Sequence, residues 1–420
     1  MKKIKSKRTR KVNSQTLIVA VDVGKDKNTG YYRCADGADG KPFEFSNRRK
    51  GFDVFWDRIH RAQEGFDLKH IVVGIESTGP YGEPLVHYLR GKPVQLVQVN
   101  PMHTKRLKEL CDNSPNKTDK KDPRVIADIM QLGHVLSMVI PEGPAAELRR
   151  LTQARERSVE RRKALQNQLQ QLVFVLFPEF IQVMKGLESK TALYLLRHYP
   201  TSQDIIACGL DRLSRIIRRI SSGRLRANRA RALYETAQHA SGIQEGVESV
   251  LLEIRQALAL LETLEGFIRE LEQQLSHYLK QIPYSGLMLS VKGVGLITAA
   301  GLIGEVGDFH KFRTISELTK LAGLDLFEIS SGKRQGQRGI SKRGRPLMRK
   351  LLYFAAMSTV RKGGILHENY HRCLERGMPK IKALVAMSRK LLRILFAMVR
   401  DDREYNKDYV KAKVVLKEAA

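Results

Sequence analysis

Two apolar runs, each closing on an acid, constrain the fold of this chain most. Residues 17–21 lead into Asp22, and residues 71–75 lead into Glu76. Continuous apolar runs of this length, followed by glycine-containing turns, are typical of buried strands. The sequence therefore predicts a sheet in which two strands each place a carboxylate at their end.

A second acidic feature lies in a segment that is otherwise basic. Asp119 and Asp122 stand three residues apart, at or entering a predicted helix. On a helix this spacing places both side chains on one side. Together with Asp22 and Glu76 they make four carboxylates, the hard oxygen ligands that Mg²⁺ binds alongside substrate phosphates. We expect a metal-dependent phosphoryl-transfer site.

The order of predicted elements in residues 15–142 indicates the fold class. The predicted strands cover residues 16–22, 29–35, 43–46, 70–76 and 94–99. An amphipathic helix follows the third strand, because Phe52, Phe55 and Ile59 recur at helical spacing. The resulting β-β-β-α-β-α-β-α order is that of a ribonuclease-H-like α/β fold. In such a sheet the four acids can meet at one end.

Residues 143–283 change to long helical patterns. Leucines at helical spacing run from Leu148 to Leu176, and a second apolar pattern runs from Val247 to Leu279. The pair predicts an antiparallel coiled-coil arm. Packing within one chain and dimerisation are both compatible with this pattern.

A basic helical insert is predicted between these patterns, at residues 183–240. From Asp211 to Arg231 it holds eight arginines and one acid. Such a surface is suited to contact nucleic-acid phosphates, although a solvated helix face has a similar composition. The expected phosphate contacts are Arg218, Arg219, Arg224 and Arg226.

Residues 284–400 are predicted to form a mainly helical domain. Gly293 and Gly295 precede an apolar helix in a pattern that resembles a helix-hairpin-helix element. In such elements, backbone N–H groups at a helix start bind a phosphate. An ordinary tight turn gives the same pattern, so both interpretations stay open.

A basic segment in this domain carries a candidate nucleophile. From Gly332 to Lys350 there are eight basic residues, four glycines and no acid. The expected nucleic-acid contacts here are Lys333, Arg334, Arg338, Lys342 and Arg343. A serine beside such cations is a candidate nucleophile for phosphorus, assisted by charge neutralisation. On chemistry alone, a basic loop with incidental serines is the simpler interpretation.

The overall charge indicates the partner. A formal net charge of +30 on 47.7 kDa is self-repelling unless a polyanion neutralises it, and nucleic acid is the expected polyanion. A basic disordered arm is expected at residues 1–14 and a charged tail at residues 401–420. No run of about 18 uncharged apolar residues is present to span a bilayer. The four cysteines include no Cys-x-x-Cys pair for a zinc knuckle, and a reducing cytoplasm fits.

Five sequence pieces, in this order, carry a family resemblance. They are Val21-Asp22-Val23-Gly24-Lys25, Ile75-Glu76-Ser77-Thr78-Gly79-Pro80-Tyr81, Lys117-Thr118-Asp119-Lys120-Lys121-Asp122, the hairpin at residues 291–300 and the basic segment at residues 330–344. Together they resemble the bacterial insertion-sequence transposases with an Asp-Glu-Asp-Asp site, which are bridge-RNA-guided recombinases. The resemblance spans most of the chain.

The resemblance implies a domain similar to the Holliday-junction resolvase RuvC, then a coiled-coil region and a C-terminal transposase domain. The implied cofactor is Mg²⁺, two ions per site, with Asp22, Glu76, Asp119 and Asp122 as ligands. Ser331, with Ser330 as the alternative, would attack DNA to form a transient phosphoserine linkage. The implied partners are donor and target DNA, a non-coding guide (bridge) RNA, and further copies of the chain in a homotetramer joined through the coiled-coil arm. The protein would act in the bacterial cytoplasm, on the nucleoid.

Pro123 departs from the family pattern, in which alanine is usual at this position. Proline is tolerated only near a helix start. Asp122 would then cap the helix, while Asp119 would lie in the preceding loop. This placement differs from the simple arrangement of both acids on one helix face.

Three other functions stay open from the sequence. A junction-resolving endonuclease would use the four acids to activate water, with Ser331 as a phosphate contact only. An actin-like or sugar-kinase-like ATPase shares the strand turn at residues 21–24, but the second Asp-x-Gly turn that it needs has no convincing counterpart. A non-catalytic nucleic-acid-binding protein would keep its activity without Asp22.

Overall fold

The computed structural model describes residues 12–76, 79–111, 122–328 and 338–406. The chain divides into two compact units, Met1–Val139 and Ile140–Ala420. The predicted α/β sheet, followed by a mostly helical remainder, is confirmed. Across the described ranges, no helix has the length and apolar character needed to cross a membrane.

Within the described part of the first unit, six strands form one sheet in the order β3-β2-β1-β4-β5-β6. They are β1 (Thr16–Asp22), β2 (Lys27–Cys34), β3 (Phe43–Ser46), β4 (His70–Glu76), β5 (Gln95–Val99) and β6 (Leu136–Ser137). β4 is parallel to both β1 and β5, whereas the other neighbouring pairs are antiparallel. The predicted order of elements agrees with this arrangement, except that β6 has no sequence signal.

Helices cover both faces of the central strands. They are α1 (Arg49–Gly65), α2 (Glu83–Arg90), α3 (Pro101–Cys111) and α4 (Asp122–Gln131), with a short 3-10 helix at Gly79–Gly82. Leu17 and Val19 of β1 pack in the core with α1 and α2, while Ile18 and Ala20 pack in the core with α4. Successive strand residues point to opposite faces, so the burial of residues 16–21 of β1 follows from having helices on both sides.

Gly74 in β4 lets α4 approach the sheet closely. A Cβ atom added at this position would lie 2.2 Å from the sulfur of Met130 in α4, far inside ordinary contact distance. The glycine therefore sets the depth at which α4 lies on β4. Because Glu76 ends β4 and Asp122 begins α4, this contact bears directly on the acidic residues.

The second unit is built mainly from helices. In chain order they are α5 (Pro144–Leu176), α6 (Pro178–Met184), α7 (Lys190–His198), α8 (Ser202–Cys208), α9 (Leu210–Ile220), α10 (Ala227–Gln238), α11 (Val247–Leu279), α12 (Ser285–Ser290), α13 (Leu296–Val306), α14 (Ile315–Ala322), α15 (Pro346–Thr359), α16 (His367–Glu375) and α17 (Lys380–Asp401). The two strands β7 (Leu326–Glu328) and β8 (Arg338–Ile340) form an antiparallel pair between α14 and α15. The insert predicted at residues 183–240 is helical.

The two 33-residue helices α5 and α11 pack side by side. Leu148, near the start of α5, shares a core with Leu275, near the end of α11. Leu169, near the end of α5, shares a second core with Ile254, near the start of α11. The helices are therefore antiparallel, with α6 to α10 packed around the second core and α12 to α17 around the first. Coiled-coil geometry stays a prediction.

Candidate active site

Asp22 and Glu76 lie at the same edge of the sheet. β1 and β4 are parallel neighbours, and Val21 pairs with Ile75 in their register. The next residue of each strand is therefore the acid, at the same level and on adjacent strands. Both acids are half-buried, whereas the residues before them are fully buried. The strand-end placement predicted from the sequence is observed.

Asp122 belongs to α4, the helix that packs on β1, β2, β4 and β5. It is the first residue of the helix and is only 6% exposed. Pro123 is the second residue, where its missing N–H costs no helical hydrogen bond. Partial positive charge at a helix N-terminus stabilises a carboxylate there. The expectation from Pro123, that Asp122 lies at the helix start, is confirmed, while Asp119 lies outside the described residues.

Polar contacts hold α4 against β2. Arg33 of β2 forms an ion pair of 2.8 Å with Asp128 of α4. The guanidinium of Arg124 lies 5.6 Å from the ring centre of Tyr31, whose hydroxyl donates to Asp39 at 2.7 Å. Burial, together with this hydrogen bond, raises the pKa of Tyr31 to about 12. These contacts fix the helix that carries Asp122 relative to the strands.

The donor chemistry of these acids fits Mg²⁺, because carboxylate oxygens are its usual protein ligands. Among the described residues, however, no three His, Cys, Asp or Glu side chains are grouped closely enough to hold a metal ion. Asp119 lies outside these residues. A metal site at Asp22, Glu76 and Asp122 stays a prediction.

The hairpin strands β7 and β8 flank the segment that carries the candidate nucleophile. Glu328 pairs with Arg338, and Leu326 pairs with Ile340. The predicted site residues Ser330, Ser331, Lys333 and Arg334 lie outside the described residues. The structure therefore gives the position of the two strands on either side of this segment, and no geometry for the serines.

Lys342 and Arg343 are exposed in the loop from β8 to α15. The loop backbone is held by hydrogen bonds from Ser341 N–H to Asp325 O at 2.8 Å and from Lys342 N–H to Gly323 O at 2.9 Å. Lys342 adopts a left-handed φ of 53°. Both cations thus lie exposed in a hydrogen-bonded loop just before the N-terminus of α15; their contact with phosphate stays a prediction.

Three other cations of this basic segment, Arg345, Arg349 and Lys350, bind groups of the protein itself and are less exposed than Lys342 and Arg343, which sequence reasoning missed. Arg345 donates to the backbone oxygen of Glu305, and its Nη1 lies 3.4 Å from Oε2 of the same residue. Burial, and then repulsion from Arg149, lowers the pKa of Arg345 to about 10. Arg349 donates to the carbonyls of residues 322 and 344. Lys350 binds Glu156, a hydrogen bond that raises its pKa.

A turn at Gly293 and Gly295 joins α12 to α13, and the helix-hairpin-helix interpretation of it stays a prediction. Gly293 has a φ of 106°, and a Cβ there would lie 3.1 Å from the backbone nitrogen of Thr359. Gly295 is the N-cap of α13 and has open space where a Cβ would stand. Lys292 is exposed beside it. The turn therefore presents a helix N-terminus, a cation and free space together.

The four arginines predicted as phosphate contacts in the insert are all exposed. Arg218 and Arg219 end α9, and Arg224 and Arg226 lie in the loop to α10. The opposite face of α9 buries Leu213, Ile216 and Ile217. The helix thus directs its apolar side into the core and its arginines toward solvent.

Comparison with known families identifies the chain. Residues 19–178 match the family DEDD_Tnp_IS110, described as a transposase, and residues 285–371 match the family described as Transposase IS116/IS110/IS902. The chain belongs to the IS110/IS116 family of insertion-sequence transposases. It is therefore a DNA transposase or recombinase.

Relatives extend the match along the transposase. An uncharacterized 43.6 kDa protein of insertion element IS110 from Streptomyces coelicolor is 23% identical over 392 residues, which cover 93% of this chain and 95% of the relative. A 42 kDa protein of insertion element IS900 from Mycobacterium paratuberculosis is 27% identical, over 69% of this chain and 73% of the relative. The transposase for insertion sequence element IS1111A of Coxiella burnetii is 30% identical over 33% of this chain and 39% of its own.

The two family matches cover the candidate residues unequally. The first includes the acids Asp22, Glu76 and Asp122, and the second includes the turn at Gly293 and the β7–β8 hairpin. The arginines of α9 and of the loop to α10 fall in neither match. In this transposase the acids and the basic hairpin thus belong to the parts shared with its family.

Proposed function

We propose that this transposase cuts and rejoins DNA strands with a four-acid Mg²⁺ site and a serine nucleophile. The observation that carries the proposal is the common placement of Asp22 and Glu76 at the ends of adjacent parallel strands, with Asp122 at the start of the helix packed on them. Three antiparallel strands followed by two parallel ones support a ribonuclease-H-like fold similar to that of RuvC.

The acids Asp22, Glu76, Asp119 and Asp122 would hold two Mg²⁺ ions. When bound, Mg²⁺ neutralises charge on the scissile phosphate and on the leaving oxygen. The protein contributes the spacing of the carboxylates, which the parallel register and the contact of α4 with β4 determine. It also keeps Asp122 away from bulk water, which strengthens its interaction with a cation.

Ser331, with Ser330 as the alternative, is the proposed nucleophile. Its hydroxyl oxygen loses its proton and forms a bond to phosphorus, while the bond from phosphorus to one deoxyribose oxygen breaks and that oxygen takes up a proton to become a hydroxyl. The phosphoserine linkage retains the energy of the phosphodiester, so attack by another strand's hydroxyl rejoins DNA and releases the serine. Lys342 and Arg343, with Lys333, Arg334 and Arg338, would offset the negative charge of the phosphate.

The proposed nucleic-acid interface comprises donor and target DNA and a non-coding guide RNA. A guide that pairs with DNA reads sequence by base pairing, and the protein then contacts mainly the backbone. The exposed Arg218, Arg219, Arg224 and Arg226 and the turn at Gly293 and Gly295 provide such backbone contacts. RNA that copurifies with the protein and carries segments complementary to the element's target supports the guide; protein free of RNA with full activity contradicts it.

The proposed assembly is a homotetramer joined through α5 and α11, with the acidic site and the serine supplied by different protomers. Support comes from α11, where Leu252, Leu260 and Phe267 are 62%, 45% and 44% exposed. These side chains recur after eight and seven residues, so they form one apolar stripe along the helix.

A protein–DNA adduct that survives denaturation tests the chemistry. Wild type is expected to form it, Ser331→Ala to lose it, and Ser330→Ala to keep it. An adduct that persists in Ser331→Ala and is lost in Ser330→Ala would show that Ser330 is the nucleophile. Cleavage without any adduct indicates instead an endonuclease of the Holliday-junction type, in which the four acids activate water. Full recombination by Asp22→Asn contradicts the acidic site.

A further inference from the structure

Asn47 lies in the loop between β3 and α1, and its side chain bridges the segments that follow the two acid-bearing strands. Its Nδ2 donates to the carbonyl oxygens of Gly24 and Lys25 at 3.0 and 3.3 Å. The same nitrogen donates to the carbonyl oxygen of Tyr81 at 3.0 Å. Gly24 comes two residues after Asp22, and Tyr81 lies in the 3-10 helix after β4. One amide group therefore joins the exits of β1 and β4.

A second amide fixes the orientation of the first. Asn28 Nδ2 donates to Asn47 Oδ1 at 3.1 Å, and Asn28 Oδ1 accepts from the N–H of Gly24 at 3.2 Å. Asn28 is fully buried, so its amide depends on these protein partners. Because Asn47 Oδ1 accepts from Asn28, its Nδ2 must face the carbonyls. The N–H of Asn47 also donates to Asp26 O at 2.8 Å, which fixes the loop itself.

The bridged segments also pack beside the acids. A Cβ added at Gly82 would lie 3.6 Å from Val23 and 3.8 Å from Ile75, the residues next to Asp22 and Glu76 in sequence. The 3-10 helix at Gly79–Gly82 thus rests on both strand exits. A shift of this helix or of the turn after β1 would be transmitted to the carboxylates.

We propose that Asn47 is a positioning residue that holds Asp22 and Glu76 at the separation needed to bind a divalent cation, an inference that rests on the proposed function. Mg²⁺ demands a nearly ideal ligand geometry, and groups that orient metal ligands typically change metal affinity or activity by about 10- to 100-fold when mutated. The proposed role of Asn47 needs no direct bond to either carboxylate. Asn47 acts through the backbone that follows each of them.

Two substitutions separate positioning from simple stability. Asn47→Ala removes every side-chain bond of the bridge. Asn47→Asp keeps the shape and the acceptor for Asn28, but it turns a carboxylate oxygen toward three carbonyl oxygens. Gln63→Ala is the matched control, since Gln63 Nε2 donates to Leu68 O at 3.0 Å, a comparable half-buried bond near the other end of α1.

The first readout is Mn²⁺ binding to the protein without DNA, followed by electron paramagnetic resonance. We expect about 10-fold weaker binding in Asn47→Ala, weaker still in Asn47→Asp, and no change in Gln63→Ala. The second readout is strand cleavage at saturating DNA, where kcat falls about 10- to 100-fold in both Asn47 variants. DNA affinity stays within about two-fold of wild type. Circular dichroism verifies that each variant is folded.

The outcomes distinguish this inference from the proposed function. If Asn47→Ala binds Mn²⁺ and cleaves DNA as Gln63→Ala does, the positioning role is wrong. If Asn47→Asp behaves like wild type, the amide matters only for its volume, which also overturns the role. If Asp22→Asn keeps wild-type Mn²⁺ binding and cleavage, the acidic site itself is wrong, whatever the Asn47 variants do.

Discussion

At the scale of single residues, the basic segment around β8 and α15 contains two kinds of cation. The side chain of Arg345 is 16% exposed and contacts Glu305, whose side chain is 5% exposed. Replacing Arg345 by alanine leaves that carboxylate buried without its cation. Because breaking a buried pair from one side typically costs about 3–5 kcal/mol, we expect Arg345→Ala to lower the free energy of unfolding by this amount in urea denaturation.

The exposed pair provides the control for this prediction. Lys342→Ala combined with Arg343→Ala is expected to change the free energy of unfolding by less than about 0.5 kcal/mol, as surface substitutions usually do, and to weaken DNA binding. Equal losses of stability in both variants would show that Arg345 does not differ from the exposed Lys342 and Arg343 in its contribution to folding.

Single residues also show how far the sequence could predict the site. Asp22 and Glu76 were predictable because a buried strand that ends in an acid is visible in the local pattern. The roles of Arg345 and Lys350 were not, since their partners Glu305 and Glu156 lie 40 and 194 residues away in the chain. The local sequence shows that a cation is present, but it does not show whether a carboxylate far away in the chain neutralises that cation.

At the scale of elements, the contact of α4 with β4 determines where Asp122 lies. Gly74→Ala places a methyl group where the sulfur of Met130 stands, 2.2 Å from the ideal Cβ position. Overpacking of this kind typically costs about 1–3 kcal/mol; because Met130 is only 1% exposed, its side chain has little room to move aside, and we expect α4 to shift outward. We expect this loss of stability in urea denaturation, together with reduced strand cleavage, because Asp122 moves away from Asp22 and Glu76.

A double substitution and a control test this cause. Gly74→Ala with Met130→Ala removes the clash, so cleavage is expected to recover in part even though the double variant loses core packing. Gly65→Ala, in open space at the end of α1, should leave cleavage unchanged. If Met130→Ala gives no recovery in the Gly74→Ala background, the helix contact is not what limits activity.

Elements differ in how well the sequence predicts them. The long helices α5 and α11 set a clear helical period, and the strands β1 and β4 are continuous apolar runs long enough to be recognised as buried strands. The two residues of β6 and the three residues each of β7 and β8 are too few to do so. These short strands form because the rest of the fold brings their backbones together.

At the scale of the whole molecule, the formal net charge of +30 predicts strongly salt-dependent binding of DNA. Each phosphate contact contributes about 0.9 to the slope of log affinity against log salt concentration. Replacing Arg218, Arg219, Arg224 and Arg226 together by glutamine is expected to reduce the slope by roughly 2–4, as measured by fluorescence anisotropy over a range of salt concentrations.

A variant of equal charge distinguishes local contact from overall attraction. The replaced residues are Lys27, Arg49, Arg197 and Arg400, each of which is paired with a carboxylate. Glutamine at these four positions removes the same number of positive charges. This variant is expected to keep most of the slope of log affinity against log salt concentration. Equal reductions in both variants would mean that net charge, and not the arginine surface of the insert, governs binding.

Assembly is the remaining property of the whole molecule, and the apolar stripe of α11 is where we expect it to be decided. Ile254 and the other buried residues of α11 face the cores shared with α5, so Leu252 and Phe267 are left exposed on a different side. Leu252→Glu with Phe267→Glu is expected to reduce the mass found by sedimentation below that of a tetramer. Because both side chains are already exposed, thermal unfolding of each chain should change little.

The control, Val54→Glu with Ile381→Glu, alters side chains that are 60% and 69% exposed outside this helix and should keep the wild-type mass. A tetramer that survives in the α11 variant would place the interface elsewhere.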